Sequence, residues 1–190
     1  MFRLRKMQSL FVVSVLLLTA ACWYGPDDGC EEPLDGIISF VDSALDSCVL
    51  DHTRGCGVRL VSQNPVTGLR CNDLGIVDLS GLEQLTGLET LELRNNLIQD
   101  IGPLGGINTL LTLDIANNQV SAIAALDGLT NLAVLHLSHN QISDIAAFAA
   151  GFSCAQQTII WLDGNLLDSG DNADITTLIQ KGCDVRPPSF

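Results

Sequence analysis

Basic charge is scarce in this 190-residue chain: nine Lys and Arg stand against 22 Asp and Glu, a formal net charge of −13. Phosphate recognition needs clustered Lys and Arg, so nucleic acid is excluded as a partner. The same deficit excludes electrostatic adhesion to anionic lipid. Charged residues make up only 16% and aromatics 5%, whereas 47% are apolar, which is not the composition of a disordered tail. The GxSxG, HExxH and phosphate-loop motifs are missing, and with them the common signatures of hydrolytic and nucleotide chemistry. None of the seven cysteines forms a CxxC pair, which removes the zinc-knuckle reading. No enzyme and no cofactor is expected. The length supports one ordinary domain or one solenoid with a real core.

A long hydrophobic run is missing as well. The strongly apolar stretch, Leu10 to Cys22, is 13 residues, against the ~20 that span a bilayer comfortably. Arg3, Arg5 and Lys6 precede it and small residues close it, which is the anatomy of a secretory signal; an uncleaved anchor is the alternative. The junction Leu18-Thr19-Ala20-Ala21-Cys22 resembles a bacterial lipobox, with Thr19 where leucine is commoner. That resemblance implies removal of residues 1–21 and a lipid on Cys22. Trp23, standing where an inner-membrane retention signal would be Asp, then implies outer-membrane sorting. The expected location is the bacterial cell envelope, with membrane contact through the lipid anchor alone. Cleavage leaves six basic residues against 22 acidic, a charge of −16 that keeps a tethered domain soluble. Residues 22–35, acidic with two prolines, read as the tether.

With Cys22 lipidated, six cysteines remain: Cys30, Cys48, Cys56, Cys71, Cys154 and Cys183. An even set in an exported chain implies up to three disulfides.

The middle of the chain repeats. Leu88-x-x-Leu91-x-Leu93-x-x-Asn96-x-Ile98-x-x-Ile101 returns 22 residues on, as Leu110, Leu113, Ile115, Asn118, Val120 and Ile123. A further 22 residues give Leu132, Leu135, Leu137, Asn140, Ile142 and Ile145. Stepping back by 22 gives a degenerate copy with Leu74 in the Asn slot, and a fifth copy places Asn165 25 residues after Asn140. This pattern resembles bacterial leucine-rich-repeat lipoproteins with short, 22-residue, internalin-like repeats; the likeness covers about residues 36–186. It implies an α/β right-handed solenoid of about five repeats plus caps, with parallel strands on a concave face. It also implies that Asn96, Asn118, Asn140 and Asn165 form a ladder bonding the turn backbone. Residue chemistry agrees: a buried Asn carries donors and an acceptor for backbone groups that would otherwise be stranded. A single repeat has no core of its own, so stacking and caps must supply the burial.

The cap elements can be read as well. Upstream, within 36–65, Ile37-Ile38-Ser39-Phe40 reads as a strand and Asp42 as an N-cap. Val41, Ala44, Leu45, Cys48 and Val49 then fall on one helical face. The repeats fill 66–152, and 153–190 hold the last repeat and C-terminal cap. In that cap a helix over Ala173–Ile179 should turn Ile175, Leu178 and Ile179 inward. Cys154 and Cys183 flank it and are expected to pair; Cys48–Cys56 and Cys56–Cys71 stay open as alternatives, as does Cys30.

Alternation along each strand turns four columns outward. They run Arg70, Glu92, Asp114, His136, Trp161; then Asn72, Arg94, Ala116, Ser138, Asp163; then Asp73, Asn95, Asn117, His139, Gly164; then Gly68, Thr90, Thr112, Val134, Ile159. Arg70, Glu92, Arg94, Asp114, His136, His139, Trp161 and Asp163 are the candidate partner-binding residues. Trp161 is the candidate anchor, unless the cap covers it or the register slips in the 25-residue unit. His136 and His139 do not converge with a third strong ligand, so no metal is expected there. The acidic run from Asp163 to Asp174 invites a calcium reading but lacks EF-hand spacing. His52 and Cys56 lie close in sequence, yet an exported thiol belongs in a disulfide. The expected function is a non-enzymatic module holding a protein or glycan on its concave face. A passive structural envelope protein and a calcium-dependent adhesin are the alternatives.

Overall fold

The computed structural model describes residues 40–52, 66–154 and 157–186. Six three-residue strands form one parallel sheet in chain order: β1 (Gly68–Arg70), β2 (Thr90–Glu92), β3 (Thr112–Asp114), β4 (Val134–His136), β5 (Ile159–Trp161) and β6 (Asp184–Arg186). Leu69, Leu91, Leu113, Leu135, Ile160 and Val185 lie in register across it, and all six point into the core. β6 has no LxL signature, only Val185 in the inward slot, and the sequence does not announce it.

The chain returns along the convex side through 3-10 turns at Leu82–Gln84, Gly102–Leu104 and Ala124–Leu126. In the 25-residue unit the 3-10 turn is replaced by a six-residue α-helix over Ala146–Gly151. That helix is three residues longer than the turns it replaces, the same excess that separates a 25-residue spacing from a 22-residue one. A column of aspartates that sequence reading passes over sets up these turns. Asp78, Asp100 and Asp144 accept the N–H groups of Ser80, Gly102 and Ala146 at 2.8, 2.7 and 2.8 Å, the Asx geometry that starts a turn.

The asparagines join each coil to the one before. Asn96 Oδ1 accepts the N–H of Leu74 and Ile76 at 3.1 and 3.0 Å, while its Nδ2 donates to the carbonyls of Cys71 and Leu93 at 2.8 and 2.9 Å. Asn118, Asn140 and Asn165 repeat the arrangement, accepting from Ile98, Val120 and Ile142. Leu74 stands in the same slot of the first described coil and is 46% exposed. Among the described residues no earlier coil precedes it, so the slot tolerates a residue without an amide.

Helix α1 (Ser43–His52) caps the N-terminal end. Asp42 starts it, accepting the N–H groups of Ala44 and Leu45 through Oδ1 at 2.9 and 3.1 Å. Its Oδ2 accepts the N–H groups of Val77 and Asp78 at 2.7 and 3.2 Å, tying cap to coil. Burial pushes the Asp42 carboxyl up, but the backbone donors of Val77, Leu45, Asp78 and Ala44 outweigh it and hold the group below the usual range. Phe40 packs over Gly81, whose φ of 106° and lack of a side chain make the approach possible. Val41, expected on the inward face, lies before the helix and is 77% exposed.

At the other end, α2 is the helix Ala146–Gly151 and α3 spans Asn172–Gln180. Ile175 and Leu178 of α3 are buried, but Ile179, expected inward, is 53% exposed: on a nine-residue helix the apolar stripe is too narrow to hold all three. Lys181 Nζ donates to the carbonyls of Ala149, Ala150 and Phe152 at 2.8, 2.7 and 3.2 Å. It thereby closes the C-terminal end of α2, where a cation is favoured.

Among the described residues two disulfides staple the caps. Cys154–Cys183 has a Cα separation of 5.1 Å. The N-terminal pair is Cys48–Cys71, at 5.7 Å. Neither Cys48–Cys56 nor Cys56–Cys71 forms, because Cys48 on the buried face of α1 points at the inward slot that Cys71 fills after β1. Residues 1–21, Cys22, Cys30, the tether 22–35, the strand expected from Ile37 and Cys56 lie outside the described residues.

Candidate functional site

The solvent-facing positions of the sheet follow from the register. Arg70, Glu92, Asp114, His136, Trp161 and Arg186 stand side by side, one per strand. At ~4.8 Å per rung the six span roughly 24 Å. The register does not slip in the long unit, since Trp161 pairs with His136.

The N-terminal half of this face is a lattice of ion pairs. Arg70 reaches Glu92 at 2.8 Å, and Arg94 reaches Asp114 at 2.8 Å. Asn72 Nδ2 donates to Glu92 at 3.2 Å, and its Oδ1 accepts the Arg94 N–H at 2.7 Å. Asp114, expected to face a partner, is instead buried at 8% exposure. Ala116 and Ser138 of the next column are buried too. On a curved sheet the middle of the concave face is a trough, and residues at its floor are screened by their neighbours.

The C-terminal half carries aromatics. The rings of His136 and Trp161 stack at 3.8 Å with 5° between their planes. Both residues are half-buried, and half-buried Val134 and Ile159 flank them. Ser138 Oγ donates to Asp163 at 2.6 Å, and His139 Nε2 lies 3.6 Å from the other Asp163 oxygen.

The column Asp73, Asn95, Asn117, His139 and Gly164, read from the sequence as outward positions with His139 a binding candidate, is a column of left-handed turns, with φ from 55° to 70°. Asp, Asn and Gly occupy it because they tolerate that conformation. His139 is a turn residue whose ring covers Gly164 so closely that a side chain there would collide with it.

Burial holds the His136 imidazole below its ordinary value of 6.5; the carboxylates of Asp114 and Asp163 oppose the shift and Arg94 adds to it. The stacked imidazole is therefore neutral near neutral pH. With a folded pKa below the unfolded one, the folded chain binds fewer protons, so stability falls as pH drops through the window beneath 6.5. In a Trp23→Phe background, Trp161 emission should drop on acidification from about pH 8 to about pH 5, with a midpoint below that of free histidine. A midpoint at or above it contradicts the assignment, and His136→Asn should abolish the transition.

Among the described residues, the group whose donor atoms cluster as metal ligands is Cys48, His52 and Cys71, within 4.8 Å of one another. Both sulfurs are joined in the disulfide. Both nitrogens of His52 are engaged as well: Nδ1 lies 2.8 Å from the Cys48 carbonyl, and Nε2 accepts the Arg70 N–H at 3.2 Å. A metal on Nδ1 would leave Nε2–H facing another N–H donor, so the trio does not fit a metal. His52 instead seals the open edge of β1. The acidic loop is likewise committed to backbone: Asp168 accepts the Gly170 N–H at 2.6 Å and Asp171 the Asp168 N–H at 2.9 Å. Asn165 belongs to the ladder.

A parallel sheet on the concave side, compact turns on the convex side and an Asn ladder between them decide the architecture. The fold is a leucine-rich-repeat solenoid. Residues 108–150 match the family described as Leucine Rich repeats (2 copies). The solved structure of an internalin (inlF) from Listeria monocytogenes str. 4b F2365 is similar, with a TM-score of 0.61 at 24% identity over 78% of this chain and 49% of that one. An internalin C2 (inlC2) from the same strain gives a TM-score of 0.51 at 28% identity, over 63% of this chain and 50% of that one. The chain thus spans about half the length of these internalins. No curated protein sequence matches it. In such a solenoid the sheet is a rigid surface on which outward side chains are held.

Proposed function

We propose that the chain is a non-enzymatic interaction module of the bacterial cell envelope, held to the outer membrane by lipid on Cys22, with a partner seated on its concave face. The His136–Trp161 stack carries this reading. A Trp fixed by a ring stack on a rigid sheet, with apolar neighbours and little polar cover, has already lost the rotamer freedom that binding would otherwise cost. The ion-paired half of the face serves as its polar flank.

The test is retention of an envelope component by the immobilised chain, wild type beside Trp161→Ala. Truncation of a central Trp anchor costs about 2–4 kcal/mol, so retention should fall at least about thirtyfold. Equal retention by both proteins rejects the concave-face assignment. Incorporation of a palmitate analogue in the bacterial host, abolished by Cys22→Ser, tests the anchor separately.

A further inference from the structure

Resting on that reading of the concave face, we infer that its occupant is an extended protein segment that places a lysine or arginine on Asp163 and an apolar side chain beside Trp161, rather than a glycan. The charge balance of the face points there. Its three arginines are each spent within it: Arg70 on Glu92, Arg94 on Asp114 and Arg186 on Asp184, the last at 2.7 Å. Among the described residues Asp163 receives no arginine; its hydrogen bond comes from the neutral Ser138 hydroxyl, with His139 further off at 3.6 Å. It retains a lone pair on each oxygen and is 45% exposed. Asp163 also stands two residues beyond Trp161, just past the C-terminal end of the strand Ile159–Trp161. A net charge of −13 extends the attraction for cations over the whole molecule and favours capture of a basic segment.

The ring geometry argues against a sugar. A pyranose is recognised by lying flat on an open aromatic face, and His136 covers one face of Trp161 at 3.8 Å. The register sets the Arg186 rung on the other side. Ring edges remain for a ligand arriving from the concave side. An edge carries the positive end of the aromatic quadrupole and, in Trp, an N–H donor. Both suit peptide carbonyls. Half-buried Val134 and Ile159 beside the stack supply a seat for an apolar side chain.

Selection of a random peptide library of about a dozen residues against the full chain at low salt tests this directly. Enriched sequences should pair Lys or Arg with an aromatic or aliphatic residue. A synthetic copy of one such peptide should bind Asp163→Asn about fivefold to tenfold more weakly, with the difference closing at high salt. Asn keeps the acceptor for Ser138, so the variant retains the fold. Binding unchanged by Asp163→Asn, enrichment of acidic or neutral peptides, or no enrichment at all overturns the inference. So does a neutral oligosaccharide from a glycan array whose binding depends on Trp161. If the peptide binds Trp161→Ala as well as wild type, the concave-face reading itself fails, which is a distinguishable result.

Discussion

Asn118→Ala should lower the thermal midpoint by about 10 °C, from a loss of about 3 kcal/mol. The side chain is buried at 8% exposure and its bonds are not equivalent. Its Nδ2 donates to the carbonyls of Leu93 and Ile115, at 2.9 and 3.0 Å. Those oxygens also accept from Asn96 and Asn140, at 2.9 and 3.0 Å, so neither is stranded by the substitution. The Ile98 N–H is: it donates to Asn118 Oδ1 at 3.1 Å. The cost is one buried orphan donor plus the cavity of the lost amide. Asn118→Asp separates the two contributions. It keeps the acceptor for Ile98 but turns a carboxylate oxygen toward two carbonyls, so it should be at least as damaging near neutral pH. Protonation restores a donor, and the folded pKa is then raised above the unfolded one. Stability should therefore recover as pH falls through that raised value. Melting curves at about pH 7 and about pH 4 decide it; an Asp variant equally unstable at both contradicts the ladder's donor role.

The second large effect belongs to the Cys48–Cys71 bond. Its sequence separation is 23 residues, and opening a loop of that size costs about 3 kcal/mol in the chain-entropy account. Replacement of both by serine should concentrate the damage at the N-terminal end, because each coil of a solenoid contacts only its neighbours. Amide exchange at Leu69 and Arg70 should rise sharply while Leu135 and Ile160 change little. Uniform acceleration across all the strands would mean instead that the chain opens as one unit. Asp42 and His52 also hold α1 to the first coil, so the cap should loosen rather than detach.

The two cases mark what was legible in the sequence. Asn118 announced itself, because a repeat prints the same residue at the same offset and a buried amide in a turn has few other uses. The strands followed from the same spacing, and Asp42 from capping chemistry. Cys48–Cys71 was not legible: pairing depends on where α1 docks, and no local pattern encodes that. Depth on the concave face was hidden for a related reason. Alternation says which side Asp114 and Ala116 face, not that curvature sinks them below their neighbours. His139 was legible as outward and is exposed, but a left-handed turn, which strand alternation does not describe, sets the direction of its side chain. The Asp78, Asp100 and Asp144 column was visible in the repeat but interrupted by Ala122, which masked its period. Of the candidate site, Trp161 was identified as outward, while its stack on His136 required the register of a unit three residues longer than the rest.

Leu74 gives the molecule a direction. Each asparagine reaches back to the coil before it and none reaches forward, so the amide series has a first member that can dispense with it and no required last one. Whole coils are interchangeable parts in such an arrangement. A duplication or deletion of 22 residues between Leu88 and Leu132 would hand every new junction the same set of donors and acceptors, and would leave both stapled ends unaware of the change. The reach of the concave surface is thus adjustable in steps of ~4.8 Å, a freedom that a closed barrel or a doubly wound sheet does not have.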